Sequence, residues 1–130
     1  MRVFRLGLMA CASLGLYNCA GGEGSGDASV SRPPKILCQA GPDCEAKWAR
    51  ANEWTAKSGL QIASKSDTQI KTKVPAGYEH RMLVVTITKN TTSKPGAYEI
   101  SFVAGCASQF SCEPPVAESR TGFTAFVLNP

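Results

Sequence analysis

Cys38 and Cys44, and then Cys106 and Cys112, stand in two pairs with five residues between the partners of each. Thiols so placed either oxidise to disulfides or ligate a metal, and the spacing separates the two. Zinc motifs set paired cysteines two to four residues apart, and a catalytic dithiol shows Cys-x-x-Cys, which is absent. His80 is the sole histidine, hence the one side chain whose ordinary pKa lies near neutrality and the only imidazole that could join the thiols on a metal. It falls in a turn between Glu79 and Arg81, and no nucleophile is placed beside it. Neither a metal nor a cofactor is expected.

The aromatic residues offer a different chemistry. Trp48, Trp54 and Tyr78, with His80, are the candidate ligand or partner surface, because flat amphipathic rings bind sugars and peptides. Tyr98 is a further ring of this kind, and packing of a helix on a sheet is the competing use of the tryptophans. Lys65, Lys71, Lys73 and Lys89 offer cations for anionic headgroups or wall carboxylates, or else a solvated strand face that resists pairing with other chains. Asn90-Thr91-Thr92 is a glycosylation sequon only in a host that glycosylates that way. No Gly-x-Ser-x-Gly elbow, His-Glu-x-x-His helix or phosphate-cradling glycine loop occurs, so no catalytic residue is assigned.

The N-terminal segment sets the address. Met1, Arg2 and Arg5 form a positive end, followed by an apolar run from Leu6 to Leu16 broken only by Gly7, Ser13 and Gly15. This is the order of charge and hydrophobicity in an export signal, and the run falls short of the roughly 20 residues that a membrane-spanning helix needs. Leu16-Tyr17-Asn18-Cys19 resembles the lipobox of bacterial lipoproteins, a leucine three places before the modified cysteine. The resemblance implies cleavage before Cys19, diacylation of its thiol and acylation of the new amine. Tyr17 and Asn18 depart from the small residues preferred there, and Ala20 with Gly22 supplies an ordinary cleavage site as the alternative. Residue 20 is Ala rather than the Asp that favours inner-membrane retention in that family, so the resemblance implies the periplasmic side of the outer membrane. Secretion as a soluble protein and inner-membrane anchoring are the alternatives.

Three segments follow: a signal over 1–18, a lipidated cysteine and Gly/Ser-rich tether over 19–34, and a single globular domain over 35–130. The whole chain carries 14 basic and 10 acidic side chains, net +4. Without Arg2 and Arg5 the balance is 12 minus 10, or +2, too small and too dispersed for a nucleic-acid surface. Of six cysteines, Cys11 leaves with the signal and Cys19 takes lipid, so four remain. An even number in a small exported domain reads as disulfides. Pairing of Cys38 with Cys44 and Cys106 with Cys112 is the first choice among three connectivities.

The elements that must position these residues follow from periodicity. After Pro33-Pro34 the chain is extended, with an edge strand at Ile36-Leu37. Gly41-Pro42-Asp43 opens a helix over Cys44 to Ser58, with Asp43 as its cap or first-turn acid. Its apolar arc is Cys44, Trp48, Ala51, Trp54 and Thr55, Lys47, Arg50, Glu53 and Lys57 lie mainly on or flanking its wet side, and Gly59 stops it. Period two then takes over: Leu60 and Ile62, a turn over Ser64 to Asp67, and Ile70, Thr72 and Val74. Arg81 to Lys89 reads as a central strand and forms a hairpin with Tyr98, Ile100, Phe102 and Ala104 across a polar turn over Asn90 to Gly96. Pro114-Pro115 opens a second helix with Val116, Arg120, Phe123 and Val127 on one face, widened by Phe126 and Leu128 and weakened by Gly122; Arg120 is expected to pair with Glu99 or Glu118. The fold class is α+β: an antiparallel sheet of three to four strands with an N-terminal and a C-terminal helix on one face, stapled by disulfides.

These features fit a membrane-anchored, non-enzymatic envelope lipoprotein whose domain contacts an envelope protein or the peptidoglycan wall. The alternative is a small-ligand-binding protein or envelope enzyme with a pocket between helix and sheet.

Overall fold

The computed structural model describes residues 33–77, 82–107 and 111–130, all within a compact unit running from Arg32 to Pro130. The signal, Cys19, most of the tether, Tyr78 and His80 lie outside the described residues. The order of elements is β1 (Ile36–Gln39), α1 (Pro42–Lys57), β2 (Gln61–Lys65), β3 (Gln69–Lys73), β4 (Leu83–Thr91), β5 (Ala97–Cys106) and α2 (Val116–Leu128). The strands form one antiparallel sheet in the order β1-β5-β4-β3-β2. The class is α+β as expected, with five strands among the described residues where three to four are read from the sequence.

The edge strand read at Ile36-Leu37 is present as β1 and runs on to Gln39. Proline fixes φ and cannot donate to a ladder, so Pro33-Pro34 holds the chain extended up to Ile36 and leaves pairing to the residues beyond. Ile36 then pairs with Ile100 and Cys38 with Tyr98. The register with β5 carries the strand two residues beyond Leu37.

At Gly41 the backbone adopts φ 95°, a left-handed value that costs a glycine little, and Pro42 begins α1 with its fixed φ already helical. Asp43 does not cap the helix. Its carboxylate turns back to accept the Gln39 N–H at 2.9 Å and pairs with Lys47 at 2.9 Å, one helical turn on. Lys47 in turn donates to the Leu37 carbonyl at 2.8 Å. Ala40 N–H points the other way, to Gly96 O at 2.7 Å, so Leu37 and Gln39 present the outer edge of the sheet, and α1 satisfies that edge with side chains.

Alternation puts Ile36, Ile70, Val85, Ile87 and Ile100 on one face, and the registers Ile36 with Ile100 and Ile70 with Ile87 align them across the strands. Both helices cover this face: Ala51 of α1 and Phe123 and Val127 of α2 are fully buried in the same cluster. Trp54, Phe102 and Phe123 lock the three layers of contact. Trp54 meets Phe102 and Phe123 edge-on at 5.5 and 5.3 Å, and those two rings stack at 4.8 Å. Such pairs add about 1 kcal/mol each beyond area burial.

Arg50, expected on or flanking the wet side, is half-buried and reaches across to donate to the Val127 carbonyl at 2.9 Å. A cation there satisfies one of the open carbonyls of the last turn of α2 and opposes the negative end of its dipole. Glu99 pairs with Lys35 at 3.2 Å, and Arg120 forms no ion pair among the described residues, so neither carboxylate expected for it fills that role. Both disulfides are local, Cys38 with Cys44 and Cys106 with Cys112.

Candidate binding cleft

The helices make their main contacts with each other and with β1 and β5. β3 still buries Ile70 and Thr72, but β2 at the sheet edge lies past the helical layer, and every residue of it is exposed, Ile62 included at 39%. The alternation of Leu60 and Ile62 is present, yet no helix lies over Ile62 to make use of it. Between the β2–β3 hairpin and the side of α1 a cleft of about 940 Å³ opens.

One bank is a stripe of α1. Glu45, Trp48, Ala49 and Asn52 recur at intervals of three and four and share a face. The other bank is the β2–β3 turn, Lys65, Ser66 and Asp67, with Lys89 of β4 between. Local bonds fix this turn. Ser66 N–H donates to Gln69 O at 2.7 Å, and its Oγ accepts the Gln69 N–H at 3.0 Å. The Lys89 N–H donates to Thr68 O at 2.8 Å, tying the turn to β4 at the residue that enters the cleft.

Lys89 continues the inward alternation of Val85 and Ile87, so its stem starts on the core face, where its ammonium stands 5.3 Å from the centre of the Trp48 ring. An exposed cation and ring in this relation attract by about 0.5–1 kcal/mol. Asn52 donates to the Trp48 carbonyl at 2.8 Å, and its Oδ1 is buried without a hydrogen-bond donor. Lys65, Lys89, Glu45 and Asp67 form no ion pair among the described residues. The cleft thus joins one half-buried indole to two cations and two carboxylates that form no ion pair among the described residues.

Of the residues singled out from the sequence, Trp48 lines this cleft, whereas Trp54 is turned to the Phe102–Phe123 stack. Tyr98 lies in a smaller depression with Cys44, Thr68 and Lys89. Lys65 and Lys89 come together in the cleft, whereas Lys71 and Lys73 are exposed; Lys71 pairs with Thr86 on the face away from the helices. Glu45, Ala49, Asn52 and Asp67 were not anticipated; the i, i+3, i+4, i+7 stripe from Glu45 to Asn52 was the available signal. No cluster of three metal-ligating side chains occurs among the described residues, and none of their helices is long and apolar enough to cross a membrane.

Fold and cleft together define a small, disulfide-stapled α+β domain with an open groove beside its first helix. Comparison with family models, with curated proteins and with solved structures found no match to this chain.

Proposed function

We propose that the chain is a bacterial envelope lipoprotein, anchored through an acylated Cys19 on the periplasmic side of the outer membrane, whose domain is a non-enzymatic module that binds an envelope protein or the wall. One observation carries this reading. With Cys38 joined to Cys44 and Cys106 to Cys112, the cysteines left over are Cys11 and Cys19. Those two are the residues that the lipobox resemblance assigns to the discarded signal and to the lipid. Two disulfides also suit an oxidising compartment.

The test is metabolic labelling of cells with radioactive palmitate, followed by fractionation. Label on the chain, recovered with outer membranes and lost in Cys19→Ala, is the expected result. A chain that takes no label, or keeps it in Cys19→Ala, overturns the anchor.

A second reading, a small-ligand-binding protein or an enzyme, is favoured by the cleft beside Trp48, whose volume lies near the top of the range for ligand sites, roughly 300–1,000 Å³. Turnover of a small substrate that Trp48→Ala abolishes would establish it over the first.

A further inference from the structure

We propose that the cleft between α1 and the β2–β3 hairpin receives a wall fragment in which an amino sugar is joined to a short peptide bearing both carboxylates and a free amine. This inference rests on the envelope reading above and names the ligand class for it.

The charges select among ligands. Among the described residues Lys65 and Lys89 have no carboxylate within ion-pair distance, and Glu45 and Asp67 no cation, around a single cleft. A simple anion such as a phosphate headgroup would use the lysines but meet Glu45 and Asp67 with like charge. A neutral glycan would leave all four charges unanswered. A zwitterionic peptide stem answers both signs, its carboxylates toward Lys65 and Lys89 and its amine toward Glu45 or Asp67.

The shape selects further. The Trp48 indole offers the flat apolar surface on which the hydrophobic face of a sugar ring rests, and the small side chain of Ala49 leaves room next to it. The cleft, at about 940 Å³, has room for a sugar–peptide unit. Its lysine already seated over the indole is the group that a ligand carboxylate would draw outward, so binding should alter the surroundings of Trp48 and spare those of Trp54.

The experiment is calorimetric titration of the purified full chain in detergent with soluble disaccharide–peptide released from cell walls by a muramidase, with tryptophan emission followed in parallel. Saturable binding is expected, weakened about tenfold or more by Trp48→Ala and by Lys89→Ala, the loss of one stacking or charge contact. Trp54→Phe should leave both the affinity and the emission change in place, which locates the signal at Trp48. The disaccharide alone and the peptide alone should each bind more weakly than the joined fragment. No saturable heat, equal binding of either half, or affinity unchanged in Lys89→Ala overturns the proposal. Lys89→Ala removes a side chain from an open cleft, so circular dichroism matching the parent rules out misfolding as the source of a loss. Binding is measured without reference to Cys19, so failure here leaves the anchor standing, and failure of palmitate labelling leaves the cleft to be judged on its own titration.

Discussion

The hydroxyl of Thr72 accepts the Val85 N–H at 2.8 Å and donates to the Val85 carbonyl at 3.3 Å. Backbone pairing of β3 with β4 proceeds from Gln69 with Thr88 to Lys71 with Thr86. At the next position a side chain replaces a peptide group, and both members are buried. Thr72→Val keeps the shape and removes the hydroxyl, leaving the Val85 groups without these bonds. The expected loss is about 1–3 kcal/mol in denaturant unfolding. Thr72→Ser, which gives up only a methyl group, should lose about 1 kcal/mol.

Phe123 is fully buried and is shared by Trp54 of α1 and Phe102 of β5. Phe123→Ala empties the point where both helices and the sheet meet, and the expected destabilisation is about 3–5 kcal/mol. Near-ultraviolet circular dichroism should lose the Trp54 contribution at the same time. If the variant unfolds within 1 kcal/mol of the parent (an about fivefold change in equilibrium), the core is not centred on this ring.

The Cys38–Cys44 bridge closes a short loop, with a sequence separation of 6, and joins β1 to the first turn of α1. Replacing both residues by alanine should cost about 2 kcal/mol by loop entropy. Amide exchange should accelerate in β1 before it does so in β4, because β1 is the edge held by that loop and by Asp43 and Lys47.

Asp43 carries a pH dependence. The Gln39 N–H first, and then the Lys47 side chain, hold its carboxyl below the ordinary value of 3.8. A group whose pKa falls on folding stabilises the fold above its unfolded pKa, and that contribution disappears as pH falls through the folded one. The stability advantage of the parent over Asp43→Asn should thus be level above about pH 5 and shrink below the unfolded value. Unfolding curves at a series of pH values would show it, and a difference that grows toward acid would contradict the assignment.

Much of this was legible in the sequence because it is local. The alternation over Arg81 to Lys89 and Tyr98 to Ala104 gave the central hairpin, and the arc from Cys44 to Thr55 gave α1. Equal spacing placed both disulfides. Harder to read was anything set by distant neighbours. The pairing of the edge strand with β5, Ile36 with Ile100, comes from far along the chain, and the carbonyl that Arg50 reaches belongs to a residue 77 positions away. Trp48 illustrates the same limit for the site. Its position fits the apolar arc of α1, yet the side chain lies where the helical layer stops, and only the placement of the β2–β3 turn makes a cleft of it.

The occupied edge of β1 has a consequence for how copies of this protein can associate. With the Gln39 N–H and the Leu37 carbonyl taken by Asp43 and Lys47, β1 presents neither group to an added strand, whereas β2 ends the sheet on the other side with a shift in register between Ile62 and Ser64 that makes that edge irregular. A strand from another copy could pair at β1 only after Asp43 and Lys47 release those two groups, so addition at that edge would first have to undo the side-chain contacts of the first turn of α1.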